Sequence, residues 1–176
     1  AFFQVVSIST TAGFGTESFH SWPLFLPILL IFSSFIGGCA GSTGGGMKVI
    51  RLILLVLQGS RELKRLIHPK AMYSIRIGSN ALPDRIIDAV WGFFSAYALV
   101  FVVCMVILMA MDMDAITAFS ATAASLNNLG PGLGDVASNY ANVSDGAKWV
   151  LVVAMLFGRL EVFTLLVLFT PTFWKN

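Results

Sequence analysis

Apolar positions along this chain gather into long runs instead of alternating with polar ones. Residues 86–111 form one run, close to unbroken from Val90 onward. At about 26 residues it is long enough to cross a bilayer with some tilt. Residues 147–169 form a second, interrupted only by Arg159 and Glu161. A third is irregular: 22–36 is apolar, 37–46 is almost all small residues, and 47–57 is mostly apolar again. Its first half, at about 1.5 Å per residue, reaches roughly 22 Å, short of the roughly 30 Å hydrocarbon core. Both halves are therefore needed to cross, with the small-residue stretch left at membrane depth. Two further segments, 1–9 and 115–126, are too short to span, and each leads into a glycine-bearing loop, 10–16 and 127–134. A short helix, a glycine loop and then a long apolar run is the pattern of a re-entrant pore loop. The expected fold is an all-α membrane protein.

Composition supports lipid as the main solvent. Hydrophobic residues are 57% of the 176 positions, charged residues only 11%, and mean hydropathy is +0.84. Soluble domains carry about 25% charged residues. The chain starts at Ala1 inside an apolar segment, without the pattern of a signal peptide, and reads as a piece of a longer chain. Cys39 and Cys104 offer neither a disulfide framework nor metal-ligand spacing. His20 and His68 fall outside the spans and read as solvated or packing residues, and Asn142-Val143-Ser144 matches a glycosylation triplet too short to carry weight. No nucleophile–base pair or metal cluster stands out, so an enzyme is the reading least supported. No nucleic-acid partner and no bound cofactor are expected.

Charge gives orientation. Of eleven Lys and Arg, eight lie between Lys48 and Arg85. The positive-inside rule puts that segment, residues 48–85, in the cytoplasm. Glu17, Asp112, Asp114, Asp135 and Asp145 lie toward the opposite side, against Lys148. A negative vestibule would concentrate cations at a pore mouth, although acids also collect outside simply because bases collect inside.

Two segments align without gaps at a constant offset of 117 residues. Phe2 matches Phe119, and Thr10-Thr11-Ala12-Gly13-Phe14-Gly15 matches Asn127-Asn128-Leu129-Gly130-Pro131-Gly132. Identities are few, so the signal lies in the order of elements. Repeats in membrane proteins usually frame a binding site at their interface. Irregular backbone at membrane depth survives only where protein buries it or water lines it, and successive carbonyl oxygens there can replace an ion's hydration shell. The alternative is a pair of ordinary extramembrane turns.

The run Gly37-Gly38-Cys39-Ala40-Gly41-Ser42-Thr43-Gly44-Gly45-Gly46 breaks the irregular span. Gly46-Met47-Lys48 lacks the adjacent Gly-Lys of a phosphate-binding loop. Close helix packing through small residues is the plain reading, but six glycines in ten positions exceed it. Arg159 sits mid-span, where an arginine costs about 2.5–3.5 kcal/mol on insertion scales and faces protein or water. Either a barrier in an ion path or a buried ion pair accounts for it.

Together the loop 10–16, the glycine run through Lys48, the loop 127–134 and Gly158-Arg159-Leu160-Glu161 resemble the Trk/Ktr/HKT superfamily of potassium transporters. That resemblance covers essentially the whole chain. It implies four helix–pore-loop–helix repeats of the potassium-channel type in one polypeptide. The third, partial here, would be 1–58, a cytoplasmic basic linker 59–85, and the fourth 86–176. Gly13 and Gly130 fall on the family's filter glycines, which makes the carbonyls of Thr10, Thr11, Ala12, Gly13 and Phe14, and of Asn127, Asn128, Leu129, Gly130 and Pro131, candidate ligands for K+ as the transported ion. The resemblance further implies that residues Gly37 to Gly46 form a mobile gate under the filter, with Arg159 shaping the barrier. It implies docking of a cytosolic nucleotide-binding regulatory subunit of the TrkA type, a homodimer of the full-length protein, and residence in the bacterial inner membrane with the filter mouths extracytoplasmic. The rivals are a secondary transporter with broken helices and a structural subunit that conducts nothing.

Overall fold

The computed structural model describes residues 1–160 apart from Ser18, Leu24, Ala40, Thr43, Lys70, Met72 and Ser79. Among these residues six helices follow in order: α1 (Phe2–Ser9), α2 (Phe25–Ile36), α3 (Val49–Ile67), α4 (Asp84–Ala110), α5 (Ala115–Leu126) and α6 (Asp145–Arg159). A two-stranded antiparallel hairpin, β1 (Arg76–Ile77) with β2 (Asn80–Ala81), sits between α3 and α4. The fold is thus helical throughout, with one small hairpin added.

α4 follows the expected span closely. Its 27 residues extend about 40 Å at 1.5 Å per residue. Among the described residues it is the one helix long and apolar enough to cross a membrane. One side is buried through Ile87, Val90, Phe93, Tyr97, Cys104 and Leu108, while Leu99, Val102, Val106 and Ile107 are exposed. So broad an apolar face is costly in water and costless against acyl chains. α6 begins the other long run with Ser144 accepting from Ala147 N–H at 3.4 Å as its cap. The remainder of that predicted span, with Glu161, lies outside the described residues.

The irregular span is broken where the glycines predict it. After α2 the chain doubles back, so that Met47 N–H donates to Phe35 O at 2.9 Å and Val49 N–H to Gly38 O at 3.1 Å. α3 then starts close to where α2 stops, with the glycine run as an excursion between them.

α5 is the centre of the packing. Asp114 caps it by accepting from Ile116 N–H at 3.1 Å. From Thr117 to Leu126 only Phe119 escapes full burial. A helix this enclosed needs small side chains, and Ala118, Ala121, Ala123 and Ala124 let α2, α4 and α6 approach. Two of its hydroxyls are served locally, Ser120 donating to Thr117 O and Thr122 to Ala118 O, whereas the buried Ser125 Oγ has no partner among the described residues. Phe35 of α2 meets Tyr97 and Phe101 of α4, and Phe101 meets Phe119 of α5, at ring-centroid distances of 6.2, 5.6 and 5.5 Å. Such pairs contribute about 0.5–1.5 kcal/mol each beyond the area they bury, and they join the two halves of the chain.

The segment 59–85 is more structured than a basic linker requires. α3 runs through position 59 unbroken, and Arg61, only 7% exposed, donates to Asp84 Oδ1 at 2.6 Å. The physical reason is geometric: an arginine on the inner face of α3 meets the first residue of α4, so the two ends of the linker are tied to each other with the hairpin enclosed between them.

Candidate functional site

The two loops at offset 117 share a backbone path. Thr10 and Asn127 close their helices at φ −86, ψ −1 and φ −85, ψ −2. Next, Thr11 and Asn128 both take a left-handed conformation, φ 58 and φ 53. Gly13 and Gly130 follow at φ 77 and φ 101. Three backbone hydrogen bonds repeat as well. Thr10 N–H to Val6 O and Asn127 N–H to Ala123 O are both 3.0 Å, and Thr11 to Ile8 and Asn128 to Ser125 are 3.1 and 3.0 Å. Ala12 to Ser7 and Leu129 to Ala124 are both 2.8 Å. A left-handed threonine is strained, because its branched Cβ crowds the carbonyl. Strain of that kind persists only where surrounding structure holds it.

The helices end, but their carbonyl pattern does not close on itself. Among the described residues no hydrogen bond is donated to the carbonyls of Thr10, Thr11, Ala12, Gly13, Asn127, Asn128, Leu129 or Pro131. The other two predicted ligands differ: Phe14 O accepts from Ser7 Oγ at 2.6 Å and Gly130 O from the Tyr140 hydroxyl at 2.9 Å. Asn127 and Leu129 are buried residues. A buried carbonyl without a donor costs about 1–3 kcal/mol, so such oxygens suit a cation or an ordered water.

These loops meet each other and the glycine run. A Cβ at Gly13 would overlap the Leu129 carbonyl oxygen and touch Pro131, and one at Gly45 would overlap the Asn127 carbonyl. Gly45 N–H donates to Thr11 Oγ1 at 3.0 Å. The matched side chain, Asn128, donates from Nδ2 to Met155 O at 3.3 Å, on α6 just before Gly158, where a Cβ would overlap Leu126 O. In both repeats the left-handed residue therefore ties its loop to the segment that follows.

Asn127 is fully buried and its side chain is used at both ends. Oδ1 accepts from the Tyr97 hydroxyl of α4, and Nδ2 donates to Ser34 Oγ of α2 at 2.8 Å, which in turn donates to Ile31 O at 2.6 Å. Tyr97, Ser34 and Tyr140 escaped the sequence reading. The signal available for the first two was a polar residue inside an apolar run.

Below Gly44 and Gly46 lies a cavity of about 200 Å³ whose cationic lining comprises Lys48, Arg51 and Arg159. The Arg51 guanidinium stacks 4.0 Å from the centre of the Phe93 ring. Arg159, at the last turn of described α6, lines this cavity together with Ser42, Gly44 and Gly46 of the glycine run. Of that run Gly37, Gly38, Cys39, Gly41, Ser42, Gly44, Gly45 and Gly46 are described, whereas Ala40 and Thr43 lie outside the described residues. No cluster of His, Cys, Asp or Glu suited to a metal occurs among the described residues.

Known proteins match this arrangement along its length. The family described as TrkH, cation transport protein, matches residues 1–176. The chain is similar to "Trk system potassium uptake protein TrkH" of Vibrio parahaemolyticus, 72% identical over 176 residues, covering all of this chain and 36% of that protein. The TrkH of Escherichia coli K12 is 67% identical over the same coverage, and TrkG of that organism 39%. The crystal structure of the potassium transporter TrkH from Vibrio parahaemolyticus superposes with a TM-score of 0.91 at 73% identity, over 98% of this chain and 37% of that one. The chain spans about a third of the length of these relatives.

Proposed function

The chain belongs to the TrkH cation transport protein family, and from that premise we propose that it forms part of a potassium-selective pore in a bacterial potassium uptake system. Its segments 1–58 and 86–176 serve as the third, partial repeat and the fourth of four, joined by the cytoplasmic segment 59–85. The observation that carries this reading is the backbone repeated at offset 117, in which carbonyls at Thr10–Gly13 and Asn127–Leu129 receive no donor among the described residues.

Potassium loses its hydration shell at these oxygens, and because backbone atoms coordinate it, unlike side chains serve equally well in the two repeats. The glycine run 37–46 is the gate: it lies against both loops through Thr11 Oγ1 and the Asn127 carbonyl, and it lines the cationic cavity with Arg159. A cation about 4 Å from Arg159 would feel roughly 4 kcal/mol of repulsion at an effective dielectric of 20. Displacing the run and the arginine together would open the path. The TrkA-like regulatory subunit docks on the basic cytoplasmic side, the full-length protein is a homodimer, and the assembly lies in the inner membrane with its filter mouth outward.

Flux into liposomes carrying the full-length protein, with potassium or sodium as the only permeant cation, tests this function. Potassium-preferring flux is expected, with the preference reduced in Gly130→Ser. Slow, saturable uptake indifferent to that substitution would replace the pore with a carrier.

A further inference from the structure

Of the two paired glycines, Gly130 is the one that packing leaves open. Gly13 sits against the Leu129 carbonyl and Pro131, whereas nothing lies within 4 Å of where a Cβ on Gly130 would be. Its φ of 101 is closed to ordinary side chains, and Pro131 after it brings no N–H to tie the peptide down. What reaches Gly130 is a side chain ten residues on: the Tyr140 hydroxyl donates to its carbonyl at 2.9 Å.

Tyr140 is itself anchored. Its ring packs against the cluster that contains Leu108, Val136, Val143 and Leu151. Its carbonyl accepts from Val143 N–H at 3.3 Å, and the next residue's carbonyl accepts from Lys148 Nζ, also at 3.3 Å. Burial pushes the Tyr140 phenol up to about 12, so at physiological pH the hydroxyl keeps its proton and remains a donor. In the first repeat no hydrogen bond to the paired Gly13 carbonyl is donated among the described residues.

We propose that Tyr140 is a positioning residue that fixes the Gly130 carbonyl and thereby sets the potassium-over-sodium preference of the second loop. The proposal rests on the pore reading above. A carbonyl oxygen has two lone pairs, and the hydroxyl occupies one while leaving the other for an ion. Held from behind, the oxygen keeps a cage of potassium size. Released, it can follow a smaller sodium ion inward, and the discrimination falls.

The test uses the full-length protein in liposomes and reads the ratio of potassium to sodium flux for wild type, Tyr140→Phe, Tyr140→His and Val143→Ala. Losing one hydrogen bond predicts a ratio lowered about two- to tenfold in Tyr140→Phe. Tyr140→His, which keeps a ring N–H donor, recovers part of that loss. Val143→Ala loosens the packing of the ring but keeps the hydroxyl, and lowers the ratio less than Tyr140→Phe does. An unchanged ratio in Tyr140→Phe, or an equal fall in Val143→Ala, overturns the proposal while leaving the pore reading intact. A wild type without potassium preference overturns both together.

Discussion

The loops 10–16 and 127–134 reach one backbone shape by different means. In the first, the shape is enforced by neighbours: Gly13 is pressed against the Leu129 carbonyl, Ser7 holds Phe14 O, and Thr11 receives the Gly45 amide from the glycine run. In the second, it is enforced by side-chain hydrogen bonds, three within its own repeat and one across: Asn127 is pinned by Tyr97 and by Ser34 of the first repeat, Asn128 by Met155, and Gly130 by Tyr140. The lesson is that a site built from main-chain oxygens constrains dihedral angles and leaves side chains free to differ. Only Gly13/Gly130 and Gly15/Gly132 match in residue type along the aligned loops, yet the dihedral angles and three hydrogen bonds repeat.

The largest effect should come from breaking the internal support of the second loop. Asn127→Ala strands the buried Tyr97 hydroxyl, while Ser34 Oγ keeps its bond to Ile31 O, and an unpaired buried group costs about 1–3 kcal/mol. The expected outcome is a clear fall in melting temperature of the detergent-solubilised full-length protein, together with loss of cation selectivity. If Asn127→Ala melts like wild type, the network is not what shapes this loop.

Next in size is the contrast between the paired glycines. Gly13→Ala meets both unfavourable φ and the Leu129 carbonyl, for about 1–2 kcal/mol of backbone strain plus about 1–3 kcal/mol of overpacking. Gly130→Ala meets the strain alone, since the space beside it is open. Thermal melting should therefore rank Gly13→Ala below Gly130→Ala, and the reverse order would mean that packing does not distinguish the loops.

The smallest effect concerns the tie between the first loop and the glycine run. Thr11→Val removes the acceptor for Gly45 N–H at a cost of about 0.5–1.5 kcal/mol, whereas Thr11→Ser keeps it. Basal flux under non-activating conditions should rise about two- to tenfold for valine and stay near wild type for serine. Equal behaviour of the two would assign the gate's closure to other contacts.

Much of this was legible in the sequence because it depends on local pattern. The bounds of α5 and the end of α1 follow from apolar segments that stop at a glycine loop, with a polar cap before α5, and the break after α2 follows from a run no helix tolerates. The offset of 117 is visible in the sequence as an order of elements, and at that offset the structure repeats dihedral angles and three hydrogen bonds. Illegible were the pairings that depend on three dimensions. Tyr97 lies 30 residues from Asn127 and Ser34 lies 93 away, and although each stands out as a polar residue in an apolar run, nothing in the sequence joins them to one asparagine. The Arg61–Asp84 bond was hidden for a similar reason: a basic cluster reads as a solvated anchor until its helix is seen to turn one arginine inward.

The central claim is that cations sit at the carbonyls these two loops leave without donors. Crystals of the full-length protein grown with thallium or rubidium in place of potassium, measured at the ion's absorption edge, address it directly. Anomalous density within coordinating distance of the carbonyls of Thr10–Gly13 and Asn127–Leu129, and lost when sodium replaces the heavier ion, is the predicted result. Density confined to other places, with these oxygens hydrogen-bonded to protein, would contradict it.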